Sequence, residues 1–267
     1  MKRYRIPPGE EVKLARCDPR DTAYFADGKE ESRKELSDIV FRLDDLQKRL
    51  FAEHRQGLLI VLQAMDTGGK DGTIRHVFGA LNPQGVRVAA FGTPSGNELD
   101  RDYLWRVHQQ VPRRGEIVIF NRSHYEDVLV ARVKKLVPPA VWRRRFAHIN
   151  DFERMLTDEG TTIVKFFLHI SKKEQAERLT ARLERPEKNW KFDRADLTER
   201  RRWEKYLSAY ETVLTRTSTE KAPWYVIPAD RKWYRNLMVG RITLAIMERM
   251  DPRFPPPAEE PGDIVIE

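Results

Sequence analysis

Residues 58–73 read LLIVLQAMDTGGKDGT, and their interpretation decides the fold. The opening run, Leu58–Leu62, is unbroken in apolarity, as a strand covered on both faces must be. Gly68 and Gly69 follow, then Lys70 and the start of a helix. Strand, glycines, lysine and helix in that order can cradle an anion. The glycines let backbone N–H groups face it, the helix start adds a positive end, and the lysine reaches its oxygens. The usual P-loop, G-x-x-x-x-G-K-[ST], differs at both ends. Ala64 stands where the first glycine belongs, and Asp71 where a hydroxyl would hold magnesium. Asp66 and Asp71 would repel a phosphate unless a hard cation lay between, which makes both candidate Mg²⁺ ligands.

Working outward, short apolar runs alternate with helical segments. Strands are expected at Leu58–Gln63, Val86–Phe91, Ile117–Phe120, Thr162–Ile170 and Trp224–Ile227, all rich in β-branched and aromatic residues. Leu36, Ile39, Val40, Leu43, Leu46 and Leu50 recur at helical spacing, predicting an amphipathic helix over 29–53 whose charged face is solvated. Ser95-x-x-Glu98 and Ser171-x-x-Glu174 read as capping boxes, and Asp196-x-x-Glu199 as an acidic version. Pro138–Pro139 suits the first turn of the helix carrying Trp142 and Phe152. The pattern predicts an α/β fold with a five-stranded, doubly wound parallel sheet. It forms a single domain over 1–267, with an N-terminal arm (1–28) and a non-globular tail (251–267).

Composition narrows the partners. The chain of 267 residues is 40% hydrophobic and 34% charged, enough for a core under a charge-rich surface. Its apolar runs fall far short of the roughly 20 residues a membrane helix needs. With no visible secretory signal and a single cysteine, Cys17, a cytoplasmic location is expected. The net charge of +8 suggests a polyanionic partner. The surplus concentrates between Arg113 and Arg145, where Arg113, Arg114, Arg122, Arg132, Lys134, Lys135, Arg143, Arg144 and Arg145 face only Glu116, Glu126 and Asp127.

In doubly wound sheets ligands bind at the carboxyl ends of the strands. After the third strand, Asn121-Arg122-Ser123-His124-Tyr125-Glu126-Asp127 occupies the place of a Walker B segment, with Asn121 instead of the common Asp. Arg122 can grip a phosphate bidentately. Asp127 is a candidate for the metal site, Glu126 reads equally as a solvated turn residue, and His124 reads as a structural hydrogen-bonder. After the fourth strand, residues 178–205 mix Arg and Lys with acids. They are either a solvated helical hairpin or a lid that excludes water from phosphoryl transfer.

Several long segments resemble the polyphosphate kinase 2 family: QAMDTGGKDGTIR (63–75), DYLWRVHQQVPRRGEIVIFNRSHYEDVLVARV (102–133), DEGTTIVKFFLHISKKEQ (158–175), RPEKNWKF (185–192) and STEKAPWYVIPADRKWYRN (218–236). The resemblance covers nearly the whole chain after residue 20. The form NRSHYED is similar to the branch acting on both nucleoside mono- and diphosphates. The resemblance implies a P-loop kinase-like α/β/α sandwich, reversible phosphoryl transfer between inorganic polyphosphate and AMP, ADP or guanine nucleotides, Mg²⁺ or Mn²⁺, and a lid. It implies that Lys70, with Gly68, Gly69, Gly72, Thr73 and Arg75, holds the phosphates in transit. Asp66, Asp71 and Asp127 would position metals, and Asn121, Arg122 and Glu126, with Asp71, would surround the nucleotide phosphates. Arg178, Arg182 and the lid residues Arg185, Lys188, Trp190, Lys191 and Phe192 would close over the chain.

Phosphoryl transfer needs alignment and charge neutralisation more than covalent chemistry, so a direct in-line transfer is expected. Asp66, Lys70, Arg122 and Asp127 are the expected catalytic residues. The basic stretch from Arg113 through Arg132, Lys134 and Lys135 to Arg145 is the expected polyphosphate track. Two other readings stay open: an ATP-dependent nucleoside monophosphate kinase, and a basic nucleic-acid-binding protein without turnover. A nucleic-acid or membrane partner is not expected. Homo-oligomerisation is, through the 29–53 helix or the apolar C-terminal helix, Trp233–Met250.

Overall fold

The computed structural model describes residues 2–257; Met1 and residues 258–267, most of the expected tail, lie outside the described residues. A long helix, α1 (Gly28–Glu53), leads into β1 (Gly57–Ala64). The short α2 (Lys70–Thr73), prolonged by a wider π-type turn at Ile74–Phe78, precedes β2 (Val86–Ala90). Two single-turn helices, α3 (Gly96–Leu99) and α4 (Trp105–His108), lead to β3 (Ile117–Asn121). Helices α5 (Glu126–Val133) and α6 (Pro139–Asp158) precede β4 (Thr161–His169). Then come α7 (Lys172–Glu184), α8 (Pro186–Asn189), α9 (Arg194–Arg201) and α10 (Trp203–Thr217) before β5 (Trp224–Pro228) and α11 (Lys232–Met250).

All five strands are parallel, in the order β2-β3-β1-β4-β5. The chain fills one half of the sheet, then crosses β1 to build the other, so the end of β1 is the topological switch point where ligands bind. Every residue of β1 is buried, as its unbroken apolarity requires of a strand with helices on both faces. Helices α1 and α11 pack on each other and, with the π-type turn, form one layer; α5, α6 and α10 form the other. The expected α/β/α sandwich is therefore present.

The capping box at Ser95 forms, the Ser95 N–H donating to Glu98 at 2.7 Å; at Ser171 only half of the expected box does, because Ser171 Oγ accepts from the Glu174 N–H at 3.0 Å while the Ser171 N–H donates to Asp230 Oδ1 at 2.8 Å and the Glu174 carboxylate is taken by Arg178. The expected cap at Asp196 does not form. Asp193 caps α9, accepting from the Ala195 N–H at 2.8 Å, and Asp196 lies inside the first turn paired with Arg182. Both are acidic and three residues apart, and the ion pair with Arg182 decides between them. Residues 2–27 are irregular, as expected, yet they bury Tyr4, Ile6, Val12, Leu14 and Phe25 in the core. Of the two helices expected to offer an oligomer surface, α11 has twelve buried residues, among them Tyr234, Leu237 and Ile246, while α1 buries Ile39, Leu43 and Leu50 and leaves Phe41 and Phe51 exposed.

Leu43, at the centre of α1, is 0% exposed within the core. Leu43→Ala should lower the unfolding free energy by about 2–5 kcal/mol through the cavity it leaves, measured by urea denaturation; a loss under about 1 kcal/mol would mean that α1 is not docked in this way.

Candidate active site

The loop after β1 closes tightly. Thr67 (φ 62°) and Gly69 (φ 101°) both adopt left-handed backbone, a conformation natural only for glycine. At Gly69 there is also no room: a Cβ would lie 1.8 Å from Arg235 Nη1, and one at Gly72 would lie 3.1 Å from Nη2. The Arg235 guanidinium thus presses against the backbone of the glycine loop. It is 2% exposed, donates to Asn236 Oδ1 at 2.8 and 3.0 Å, and has no carboxylate partner among the described residues. Burial and the like charge of Arg178 push its pKa down to about 9, so an anion on the loop would relieve a costly buried charge. Arg178 staples the loop from the side, donating to Thr67 O at 2.9 Å and to Ala229 O at 2.6 Å.

Around Lys70 the charges alternate. Burial, then Arg122, push the Lys70 pKa down, while Asp66, Glu126 and Asp71 oppose them. Arg122 holds left-handed backbone (φ 64°), its N–H donates to Leu62 O at 3.1 Å, and its Nη2 lies 3.2 Å from Asp66 Oδ1. Asn121 Nδ2 donates to Asp71 Oδ1 at 2.9 Å. An aspartate at 121 would instead set two carboxylates face to face, which gives the departure from the Walker B pattern a physical reason. Burial favours the neutral Asp71, but Asn121 and Lys191 outweigh it and hold its pKa down. Burial raises the pKa of Glu126 against the pull of Arg122, and that of Asp127 against Arg145. Asp127 accepts from Arg145 Nη1 at 3.2 Å. Among the described residues no three His, Cys, Asp or Glu side chains are gathered into a metal cage.

Two clefts adjoin at the end of β1. One, of about 480 Å³, has an apolar wall including Phe91, Pro94, Leu129 and Leu136, and polar groups including Asp66, Arg106, Arg122, Glu126 and Asp127. The other, of about 760 Å³, runs over Gly68–Gly72 and is lined by Lys29, Arg33, Lys70, Arg75, Arg178, Lys188, Lys191, Lys232 and Arg235 among its cations, against the acids Asp71, Glu174 and Glu177. The first has the mixed lining of a small-molecule pocket. The second is an anion channel by charge.

The residues of the expected polyphosphate track lie apart from one another in the structure. Arg113 packs its carbonyl beside Gly57, at the amino end of β1 and so away from the site. Arg132 is held by Ser208 and Thr212 over the Trp142 ring, Arg145 is engaged by Asp127 and the Tyr103 ring, and neither Arg132 nor Lys135 lines a cleft. Lys134 lines the smaller cleft, paired with Glu199 at 3.3 Å. Residues 178–205 span α7 to α10 and reach back to the loop through Lys191 Nζ, 3.5 Å from Asp71 Oδ2. Arg182 binds Asp196 and the Lys191 carbonyl, Arg185 and Lys188 line the basic cleft, Phe192 is half-buried, and Trp190 is 78% exposed. The sequence reading did not single out Arg235, Lys232, Lys29 or Arg33; the last two are exposed on the polar side of the long helix, as expected there, and also edge the basic cleft. The signal for Arg235 and Lys232 is their place just after the last strand.

A switch-point loop of glycines and lysine beside two clefts of unlike charge is the arrangement of a phosphate-handling site. The chain belongs to the polyphosphate kinase 2 family, whose model, Polyphosphate kinase 2 (PPK2), matches residues 26–255. It is 58% identical over 267 residues, all of both chains, to an AMP/ADP-polyphosphate phosphotransferase of Meiothermus ruber. It is 44% identical to an ADP-polyphosphate phosphotransferase of Rhodopseudomonas palustris, across 95% of this chain and 92% of that one. The crystal structure of polyphosphate kinase 2 from Arthrobacter aurescens superimposes with a TM-score of 0.93 at 44% identity, covering 96% and 92% of the two chains.

Gly69→Ala forces either the loop or Arg235 to move. Turnover should fall about 10²-fold, the cost of misplacing a reacting group by an ångström or so, with the fold intact by circular dichroism. Near-normal turnover would show that the loop does not hold the reacting phosphates.

Proposed function

We infer that this protein transfers a phosphoryl group, directly and in line, between inorganic polyphosphate and a nucleoside mono- or diphosphate. The observation that carries the reading is the junction of two unlike clefts at Asp66, Lys70 and Arg122. An acceptor nucleotide fits the smaller one, its base on the wall of Phe91, Pro94 and Leu129 and its phosphates toward Arg122. The basic cleft suits a chain carrying about one charge per phosphate, drawn in by electrostatics that salt screens. The names of the relatives from Meiothermus ruber and Rhodopseudomonas palustris support the same pairing.

Lys70 and Arg122 offset charge on the moving phosphoryl group, a preorganised stabilisation that needs no reorganisation at the moment of reaction. Arg235 and Arg178 fix the loop from beneath and beside, so the donor phosphates meet backbone N–H groups at the head of α2. The acceptor oxygen is already anionic, so Asp66 and Asp127 need not take a proton. Residues 186–201 act as a lid that excludes water, with Lys191 reaching Asp71 and Arg182 tying α7 to α9. The donor set fits a divalent cation, Mg²⁺ or Mn²⁺: the Asp66 and Asp71 side chains, 28% and 64% exposed, flank Lys70. Mg²⁺ characteristically takes one or two carboxylates and completes its shell with phosphate oxygens and water. Such an ion supplies neutralisation of phosphate charge when bound. Asp127, paired with Arg145 in the other cleft, is proposed to act from the nucleotide side.

The test is incubation with Mg²⁺ and long-chain polyphosphate plus AMP, ADP, GMP or GDP, with products followed by chromatography. AMP and ADP should be phosphorylated from polyphosphate, and Lys70→Ala should abolish transfer while keeping the wild-type unfolding transition. Phosphorylation of AMP from ATP but never from polyphosphate would replace this reading with an ATP-dependent kinase.

A further inference from the structure

β4 is an interior strand of the sheet, between β1 and β5, and its residues Val164, Phe166 and Phe167 are fully buried and apolar. Lys165 interrupts them and is itself 0% exposed. Its ammonium is satisfied three times: it donates to Glu153 Oε2 of α6 at 2.5 Å, to Thr217 O of α10 at 2.6 Å and to Tyr125 Oη at 2.9 Å. The other carboxylate oxygen, Glu153 Oε1, accepts from the Tyr125 hydroxyl at 2.7 Å and lies 3.3 Å from His124 Nε2. Lys165 Nζ also sits over the Tyr125 and Trp224 rings, at 5.4 and 5.3 Å from their centroids.

A buried ion pair of this kind does not account for itself as stabilisation. Desolvation of two charges offsets their attraction, and well-packed apolar residues of similar volume commonly serve the fold as well or better. What this pair does is grip one short segment. His124 and Tyr125 are bound by Glu153 and Lys165, while Ser123 Oγ accepts from Gln63 Nε2 at 3.0 Å and from the Tyr125 N–H at 3.2 Å. All three side chains are 0% exposed. They form the buried middle of the turn whose two ends, Arg122 on one side and Glu126 and Asp127 on the other, face the nucleotide-sized cleft. Arg122 holds a left-handed backbone that a bulky side chain adopts only when its surroundings over-determine it.

We propose that the Glu153–Lys165 pair is a positioning device for phosphoryl transfer, locking the 122–127 turn so that the Arg122 guanidinium is held in register with the glycine loop. Neither residue touches substrate; both act through Tyr125 and His124. The inference rests on the polyphosphate-dependent transfer argued above, which the wild-type protein tests in the same assay.

The decisive variant is Glu153→Leu/Lys165→Met, which removes both charges together and keeps apolar volume. Its thermal unfolding midpoint should fall, because the Tyr125 hydroxyl and the Thr217 carbonyl lose partners, while the fold persists. Its kcat should fall about 10²-fold, the scale of a misplaced reacting group, with KM for ADP and for polyphosphate moving less than about twofold. That split marks loss of an interaction made only in the transition state. Wild-type kcat in a folded double variant would overturn the proposal, as would a rise in KM that accounts for the whole loss. If the double variant does not fold, Tyr125→Phe/His124→Asn decides, because it leaves the ion pair and cuts its links to the turn. A lowered kcat at unchanged KM supports positioning, and unchanged kcat overturns it. Absence of transfer in the wild type would instead defeat the proposed function.

Discussion

The site depends on the absence of one side chain. At Gly69 the backbone takes a left-handed conformation and Arg235 occupies the space a Cβ would need. The consequence is a positive charge set directly against the loop that opens α2. That charge is expensive: it is buried, it has Arg178 beside it, and its hydrogen bonds go to the neutral Asn236. Such an arrangement is stabilised by an anion on the other face of the loop. The bent backbone, the helix start and the two guanidinium groups then concentrate positive charge on one short loop, which is what the proposed phosphate role requires.

Cations so close together would repel one another without acids among them, and the acids are distributed unevenly. Glu174 takes Arg178, Asp66 takes Arg122 and Asp71 takes Lys191. Glu30 takes Arg33, and in the basic cleft the remaining Lys29, Arg75, Lys188 and Lys232 outnumber their carboxylates, whereas the smaller cleft mixes acids with an apolar wall. A long polyanion therefore gains on one side of the loop, and a compact ligand with a ring and a few phosphates gains on the other. On the proposed reading, this division of charge sorts the two substrates between the clefts.

The sheet was legible because period and burial speak directly in sequence. Unbroken apolar runs such as Leu58–Leu62 belong to strands covered on both faces, and all five expected strands are present within a residue or so of their limits. The glycine-lysine loop was legible for the same reason, since strand, glycine and helix are adjacent in the chain. Legibility failed where function depends on contacts between distant segments. A count of charge along 113–145 cannot distinguish the amino from the carboxyl end of a strand, and that difference removes Arg113 from the site. Arg132 and Arg145 look free in sequence but are held by Ser208, Thr212 and Asp127. Lys29 and Arg33 are exposed, as helical periodicity predicts, but periodicity does not tell that they also edge a cleft. Lys165 gives a faint signal, a charge inside an apolar strand, whose meaning depends on Glu153 twelve residues earlier and on Tyr125 in another element.

These features also bear on direction. On the proposed reaction both substrates end in phosphate, and the groups converging on their meeting point are Lys70, Arg122 and two carboxylates held by nitrogen donors. An acid or base serving one leaving group would make the rate depend on its protonation state. Here the stabilisation is by fixed charge on oxygens that stay ionised on either side of the transfer. A transition state stabilised in that way is stabilised equally from both ends, because a catalyst lowers one barrier and leaves the equilibrium alone. The chain then runs toward whichever phosphoanhydride the concentrations of polyphosphate and nucleotide favour. In this site, charge placement sets the rate and supply sets the direction.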